Sequence, residues 1–177
     1  MKILNQLFIV MLAGLLMAAT SEIELETKSL LDDRIELKVP ADFDLMDEAV
    51  IKMKYPTEQR PTLVYTNERA SINVAINLTE NPASQELMET YREAFLENFK
   101  TNFPDAEWKN SEVIEVNGRA VGYLEFIVSA PDSKIYNRLF FTDLNDQLLL
   151  CSFNCTTEHM AEWESVSEDI MHSLKLK

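Results

Sequence analysis

The chain has little glycine, cysteine, histidine or positive charge, and each shortage excludes something. Three glycines in 177 residues cannot build the glycine-rich turn whose backbone N–H groups wrap a phosphate. Gly14, Gly118 and Gly122 fit no such turn, and no G-x-S-x-G nucleophile elbow is present. The two histidines, His159 and His172, fall on one predicted helix. At about 100° and 1.5 Å per residue they lie roughly 140° apart around the axis and nearly 20 Å apart along it, so they cannot share a metal. Asp143-Leu144-Asn145-Asp146 lacks the spacing of a calcium loop and reads as a hairpin turn. No metal and no cofactor is expected.

The two cysteines are Cys151 and Cys155. Four steps along a strand separate Cα atoms by about 13 Å, and a disulfide tolerates less than about 7 Å. They are expected as free, mostly buried thiols unless the chain turns between them. Basic residues number 16 against 30 acidic ones, for a net charge of −14. Such a surface repels phosphate backbones and anionic headgroups, so nucleic-acid and peripheral membrane binding are disfavoured. The charge serves solubility, or it attracts a protein partner with a basic surface.

What is present begins with an export signal. Lys2 precedes an uncharged apolar run from Leu7 to Ala19, followed by Thr20 and Ser21. The run is shorter than the roughly 20 residues of a spanning helix and fits the core of a secretory signal peptide over residues 1–21. An uncleaved N-terminal anchor is the alternative. No cysteine stands near the end of the run, so a lipoprotein is not expected; the mature chain would be periplasmic or secreted. Residues 22–33 are polar and read as an irregular lead-in with at most one short strand. Residues 34–177 read as a single domain.

Within that domain, Arg34 to Val39 alternates apolar and polar residues, and Pro40 stops the strand. Met46 to Met53 fits a short helix or a strand. A short strand spans Thr62 to Thr66. Ser71 to Leu78 is the cleanest strand, with Ile72, Val74, Ile76 and Leu78 on one face. Asn81 reads as a helix cap with Pro82 in the first turn. Leu87, Tyr91, Phe95 and Phe99 then recur every fourth residue, beside Met88 and Leu96, and build one apolar stripe that ends near Phe103 and Pro104. Four strands follow, turning at Asn117-Gly118, Pro131-Asp132 and Asn145-Asp146. A second helix, capped by Thr156 or Thr157, carries Met160, Trp163, Val166, Ile170 and Leu174 and closes with Lys175 and Lys177. The sum is an α+β fold: a curved antiparallel sheet flanked by two long amphipathic helices.

The early "L-K-V-P" strand, the strand–long helix–hairpin order and the terminal "I-M-H-S-L-K-L-K" together resemble the PsbP-like superfamily, including its bacterial DcrB-type branch, over roughly residues 34–177. That resemblance implies a helix-flanked sandwich used for protein–protein interaction, and it assigns no residue a role. The leading expectation is therefore a non-enzymatic protein-interaction module of the cell envelope or secreted space. A small-ligand or lipid carrier with a pocket between sheet and helices is the first alternative, and an enzyme with an unrecognised site the second. Trp108 and Tyr136 have no evident buried face; either anchors a partner or covers the sheet beneath a helix. The sequons at Asn77 and Asn154 fall in predicted strands and read as chance occurrences.

Overall fold

Period-two alternation and tight turns, rather than long helices, dominate this chain, and the backbone follows them. A computed structural model describes residues 23–55 and 60–177; the export signal read over residues 1–21 lies outside the described residues. Among the described residues, ten strands and three helices run in the order β1 (Leu25–Leu30), β2 (Ile35–Pro40), β3 (Asp44–Leu45), α1 (Glu48–Lys54), β4 (Leu63–Thr66), β5 (Ile72–Pro82), α2 (Met88–Asn102), β6 (Glu107–Val116), β7 (Arg119–Ser129), β8 (Lys134–Leu144), β9 (Gln147–Thr156), α3 (Thr157–His172) and β10 (Lys175–Leu176).

The four-strand meander is present as read: β9, β8, β7 and β6 are successive neighbours, and β5, β4 and β3 continue the sheet on the far side of β9. Its two-residue turns need positive φ. Asn117 and Gly118 adopt 49° and 78°, and Asn145 and Asp146 adopt 52° and 64°, the mirror-image turn geometry that matches strand twist.

The one sheet expected from sequence is two. Residues 25–30 of the lead-in pair along their whole length with β2, and β10 pairs with the other edge of β2. Lys175 and Lys177 therefore do not close the last helix. The helix ends at His172, where the Ser173 hydroxyl donates to the Ile170 carbonyl (2.6 Å) and accepts from the Lys38 N–H (2.8 Å). The chain then turns, buries Leu174, and the Lys177 N–H reaches the Arg34 carbonyl at 2.9 Å. An open edge on β2 offers unpaired backbone groups, and satisfying them outweighs another helical turn.

The start of α2 also differs. Asn81 and Pro82 extend β5, with Pro82 opposite Gln147, and do not cap the helix. Proline is tolerated there because it ends the strand. A 3-10 turn over Gln85–Leu87 leads in, and this rotates the apolar face: Met88 is buried, while Leu87 is exposed. Gln85 also fills the gap where β7 and β8 diverge. Its side-chain oxygen accepts from the Ala120 N–H (2.6 Å), and its nitrogen donates to Thr142 Oγ1 (3.1 Å).

The large sheet is apolar on both faces. One face (Ile72, Val74 and Ile76 of β5; Leu149 and Phe153 of β9; Phe140 of β8) packs on β2 and on Trp163, Ile170 and Met171 of α3. Trp163 stacks on Phe153 with centroids 5.7 Å apart. The opposite face (Leu124, Phe126, Phe141, Leu148) lies under Met88, Tyr91, Phe95 and Phe99 of α2. Helix α1, the resolved form of the ambiguous Met46–Met53 segment, covers a smaller cluster of Met46, Val64 and Ala75.

Gly122 is required by packing. It lies directly opposite Phe141, and a Cβ there would sit 2.4 Å from the Phe141 ring. Such pairs let an aromatic ring cover a bare backbone. Gly122→Ala is expected to cost about 1–3 kcal/mol by overpacking. In chemical denaturation, adding Phe141→Leu should recover part of that loss; strictly additive costs would contradict the clash.

Candidate binding surfaces

Chemistry-bearing side chains gather first on the α3 side of β7 and β8. Glu125 and Arg138 lie directly opposite each other on neighbouring strands, and Tyr136 precedes Arg138 by one side-chain repeat. Arg138 Nη2 lies 3.3 Å from Glu125 Oε2, and Arg138 Nε donates to Ser167 Oγ of α3 at 3.0 Å. The Tyr136 hydroxyl donates to Glu125 Oε1 (2.9 Å) and lies 3.2 Å from Ser167 Oγ. Ser167 Oγ donates in turn to the Glu164 carbonyl at 2.7 Å. Lys109 from the edge strand lies 3.8 Å from Glu125 and 2.5 Å from Glu164. Tyr136, Ser167, Arg138 and Glu125 expose 0, 0, 4 and 6% of their surfaces. Each polar group points at another, and a buried charge is tolerable only when so paired. Burial pushes the Tyr136 hydroxyl up to about 12, so it stays protonated. The cluster holds α3 to the sheet and offers no exposed nucleophile beside a base.

This corrects the reading of Tyr136 as a possible partner anchor: it is fully buried, with its hydroxyl inside the cluster. Trp108 is half-buried on β6, its ring 5.1 Å from Phe126, with the Lys100 ammonium 5.8 Å above it. It covers the sheet beneath the end of α2. Cys151 and Cys155 are free and buried on β9. Burial pushes the Cys155 thiol up to about 12 and Cys151 higher still. His159 and His172 both lie on α3, and Asp143 is engaged by Arg119 Nη2 at 2.6 Å. Among the described residues no three His, Cys, Asp or Glu side chains converge as metal ligands would.

Two open surfaces follow from the sheet itself. Among the described residues, strand β6 ends the large sheet and pairs only with β7. Of its exposed charges, Glu107 pairs with Lys134 and Lys109 with Glu164. Glu112 and Glu115 are left without ion pairs among the described residues. Glu112, Glu125 and Glu168 all add to the burial that raises the Tyr123 hydroxyl above its ordinary range, so negative charge concentrates where β6 meets α3.

The second surface is the part of the α2 face that neither α1 nor α2 covers. Its floor is a row of polar side chains, one per strand: Thr66 opposite Asn73, Asn73 opposite Asn154, Asn154 opposite Asn137. Alternation on β5 placed Asn73 and Asn77 together, and Asn154 was noticed only as a sequon. The row itself depends on strand register, which no local pattern encodes.

No protein-family model matches the sequence, and no curated protein sequence matches it. Solved structures do match in fold. The cyanobacterial PsbP protein CyanoP from Synechocystis superposes with a TM-score of 0.64 at 15% identity, over 90% of this chain and 96% of that one. LpqN, involved in cell envelope biogenesis of Mycobacterium tuberculosis, gives 0.54 at 11% identity over 87% and 91%. A protein from Bacteroides thetaiotaomicron gives 0.54 at 13% identity, over 85% of this chain and 48% of that one.

Removing one member of the buried pair should cost far more than removing both. Arg138→Leu is expected to lose about 3–5 kcal/mol, and Arg138→Leu with Glu125→Leu markedly less. Equal losses in urea titrations would mean that the pair is not electrostatically closed. Alkaline stability gives a second check. An unfolded thiol ionises near pH ~9 while folded Cys155 keeps its proton to about 12. The folded state binds more protons across that interval, so stability should fall as pH rises through it, by about 1.4 kcal/mol per pH unit for each such group. Cys155→Ala should flatten the profile; an unchanged slope would contradict the burial.

Proposed function

Starting from the PsbP-like fold that the comparisons establish, we propose that the chain is an exported, non-catalytic module of the cell envelope that binds a protein partner with a basic surface. The observation that carries this reading is the β6 edge. It presents ten residues of strand whose outer backbone groups pair with no other strand among the described residues, and Glu112 and Glu115 make no ion pair there. Exposed edges commonly accept an added strand, and fixed negative charge steers and selects a basic one. The net charge of −14 acts in the same direction. The sealing of Tyr136, Ser167, Arg138 and Glu125 from solvent supports a non-catalytic role. The involvement of LpqN in envelope biogenesis and the apolar run from Leu7 to Ala19 support the location.

A photo-crosslinking residue at Ser111, inserted in the native host, tests the proposal. One basic envelope protein should be captured, less efficiently at raised salt, and capture should fall at least tenfold on Glu112→Lys with Glu115→Lys. Capture that ignores both charge and salt, or recovery of the monomer alone, would contradict it.

A further inference from the structure

The row of amides on the open sheet face has an internal direction. Thr66 Oγ1 donates to Asn73 Oδ1 at 2.8 Å, and Asn73 Nδ2 donates to Asn154 Oδ1 at 2.9 Å. Thr66 and Asn73 are buried, so this end of the row is closed and its geometry fixed. The other end is open. Asn154 Nδ2 has no hydrogen-bond partner among the described residues. Asn137, the next member, spends its nitrogen on the Ile135 carbonyl at 3.0 Å and leaves its oxygen unpaired. A fixed donor and a fixed acceptor therefore stand side by side on adjacent strands, both reached by solvent. Thr156 adds a third group. It holds the N-cap position of α3, where the sequence leads one to expect a capping hydroxyl, yet its side chain makes no capping bond. Tyr55 of the α1 end supplies an aromatic wall.

These groups line a solvent-open cleft of about 370 Å³, within the roughly 300–1,000 Å³ typical of small-molecule sites. A separate cleft of about 650 Å³ lies further along β5, lined by Arg60, Asn77, Glu80, Phe95 and Leu150. The electrostatics narrow the ligand. In a chain with 30 acidic residues, no carboxylate among the described residues lines the first cleft. The cation among those residues, Lys54, donates to the Ala70 carbonyl. A neutral ligand fits, one whose polar groups donate and accept at once so that each can meet either partner of an amide. Hydroxyl groups do this. An apolar flank against Tyr55 would complete the match.

We propose that the first cleft binds a neutral, hydroxyl-rich saccharide, with Asn154 and Asn137 contacting its hydroxyls. The saccharide is either a soluble glycan or the headgroup of a glycolipid. The site lies on the α2 side of the sheet, away from the Glu112 side of the β6 edge, and stands or falls independently of the protein partner.

Titration of 15N-labelled protein with glucose, maltotriose, cellotriose and N,N′,N″-triacetylchitotriose tests it, with phosphatidylcholine vesicles with and without a glucosyl diacylglycerol as a second arm. The side-chain amide resonances of Asn154 and Asn137 should shift saturably with at least one trisaccharide, and more weakly with glucose. A response to the glycolipid vesicles but to no soluble sugar assigns the headgroup source. Asn154→Ala and Asn137→Ala should each weaken binding roughly threefold to tenfold, as loss of a single hydrogen bond does. Asn137→Ala leaves the Thr66–Asn73–Asn154 chain intact, so it reports on the site if the other variant unfolds. No shift at these amides with any sugar or vesicle, or an equal shift with acetate or triglycine, would overturn the proposal.

Discussion

A seven-stranded sheet that is apolar on both faces must be covered on both, and most of the architecture answers that requirement. Its two covers differ in kind. On one face α3 and the small β1–β2–β10 sheet close over Phe153, Phe140 and Leu149, with Trp163 as the central contact. On the other, α2 and α1 cover only parts of the surface, and between them the side chains change from apolar to amide. Burial of this kind scales with the apolar area removed from water, so the polar row marks where the fold stops excluding it.

The charged cluster between Arg138 and Glu125 belongs to the first cover. A buried ion pair adds little stability compared with an apolar one of the same shape, but it is intolerant of a missing partner. Here the pair also reaches Ser167 of α3 and, through Lys109, the edge strand. It ties α3 to β8, β7 and the edge strand and sets where along the sheet α3 sits. Asn117 does the same at the other end of the helix, donating to the Leu174 carbonyl at 2.8 Å and the His172 carbonyl at 3.2 Å.

What was legible in the sequence was local. Alternation over residues 71–78, the Asn117-Gly118 and Asn145-Asp146 turns and the four-residue spacing of Tyr91, Phe95 and Phe99 each carry their structure within a few positions, and each is present. What was not legible depended on distant partners. Lys175 and Leu176 are ordinary helix-end residues until the free edge of β2 recruits them. Asn81-Pro82 has the chemistry of a helix start, but Gln147 holds it as strand. Tyr136 looked exposed because its partners, Glu125 and Ser167, are polar and lie 11 and 31 positions away. The amide row is of the same kind, since four strands must be in register before it exists.

The picture that results is a PsbP-like scaffold with a buried charged cluster and, among its open surfaces, an acidic strand edge and an amide-floored cleft. Binding at the edge requires little rearrangement, because the unpaired backbone groups of β6 are already extended and ordered by β7. Amide hydrogen exchange on the protein alone and with its crosslink-identified partner tests this most directly. The account predicts fast exchange at the outward amides of Glu107–Val116 in the free protein and strong protection of those same amides in the complex. Protection confined to α3 or to the β1–β2 hairpin, with the β6 amides unchanged, would contradict it.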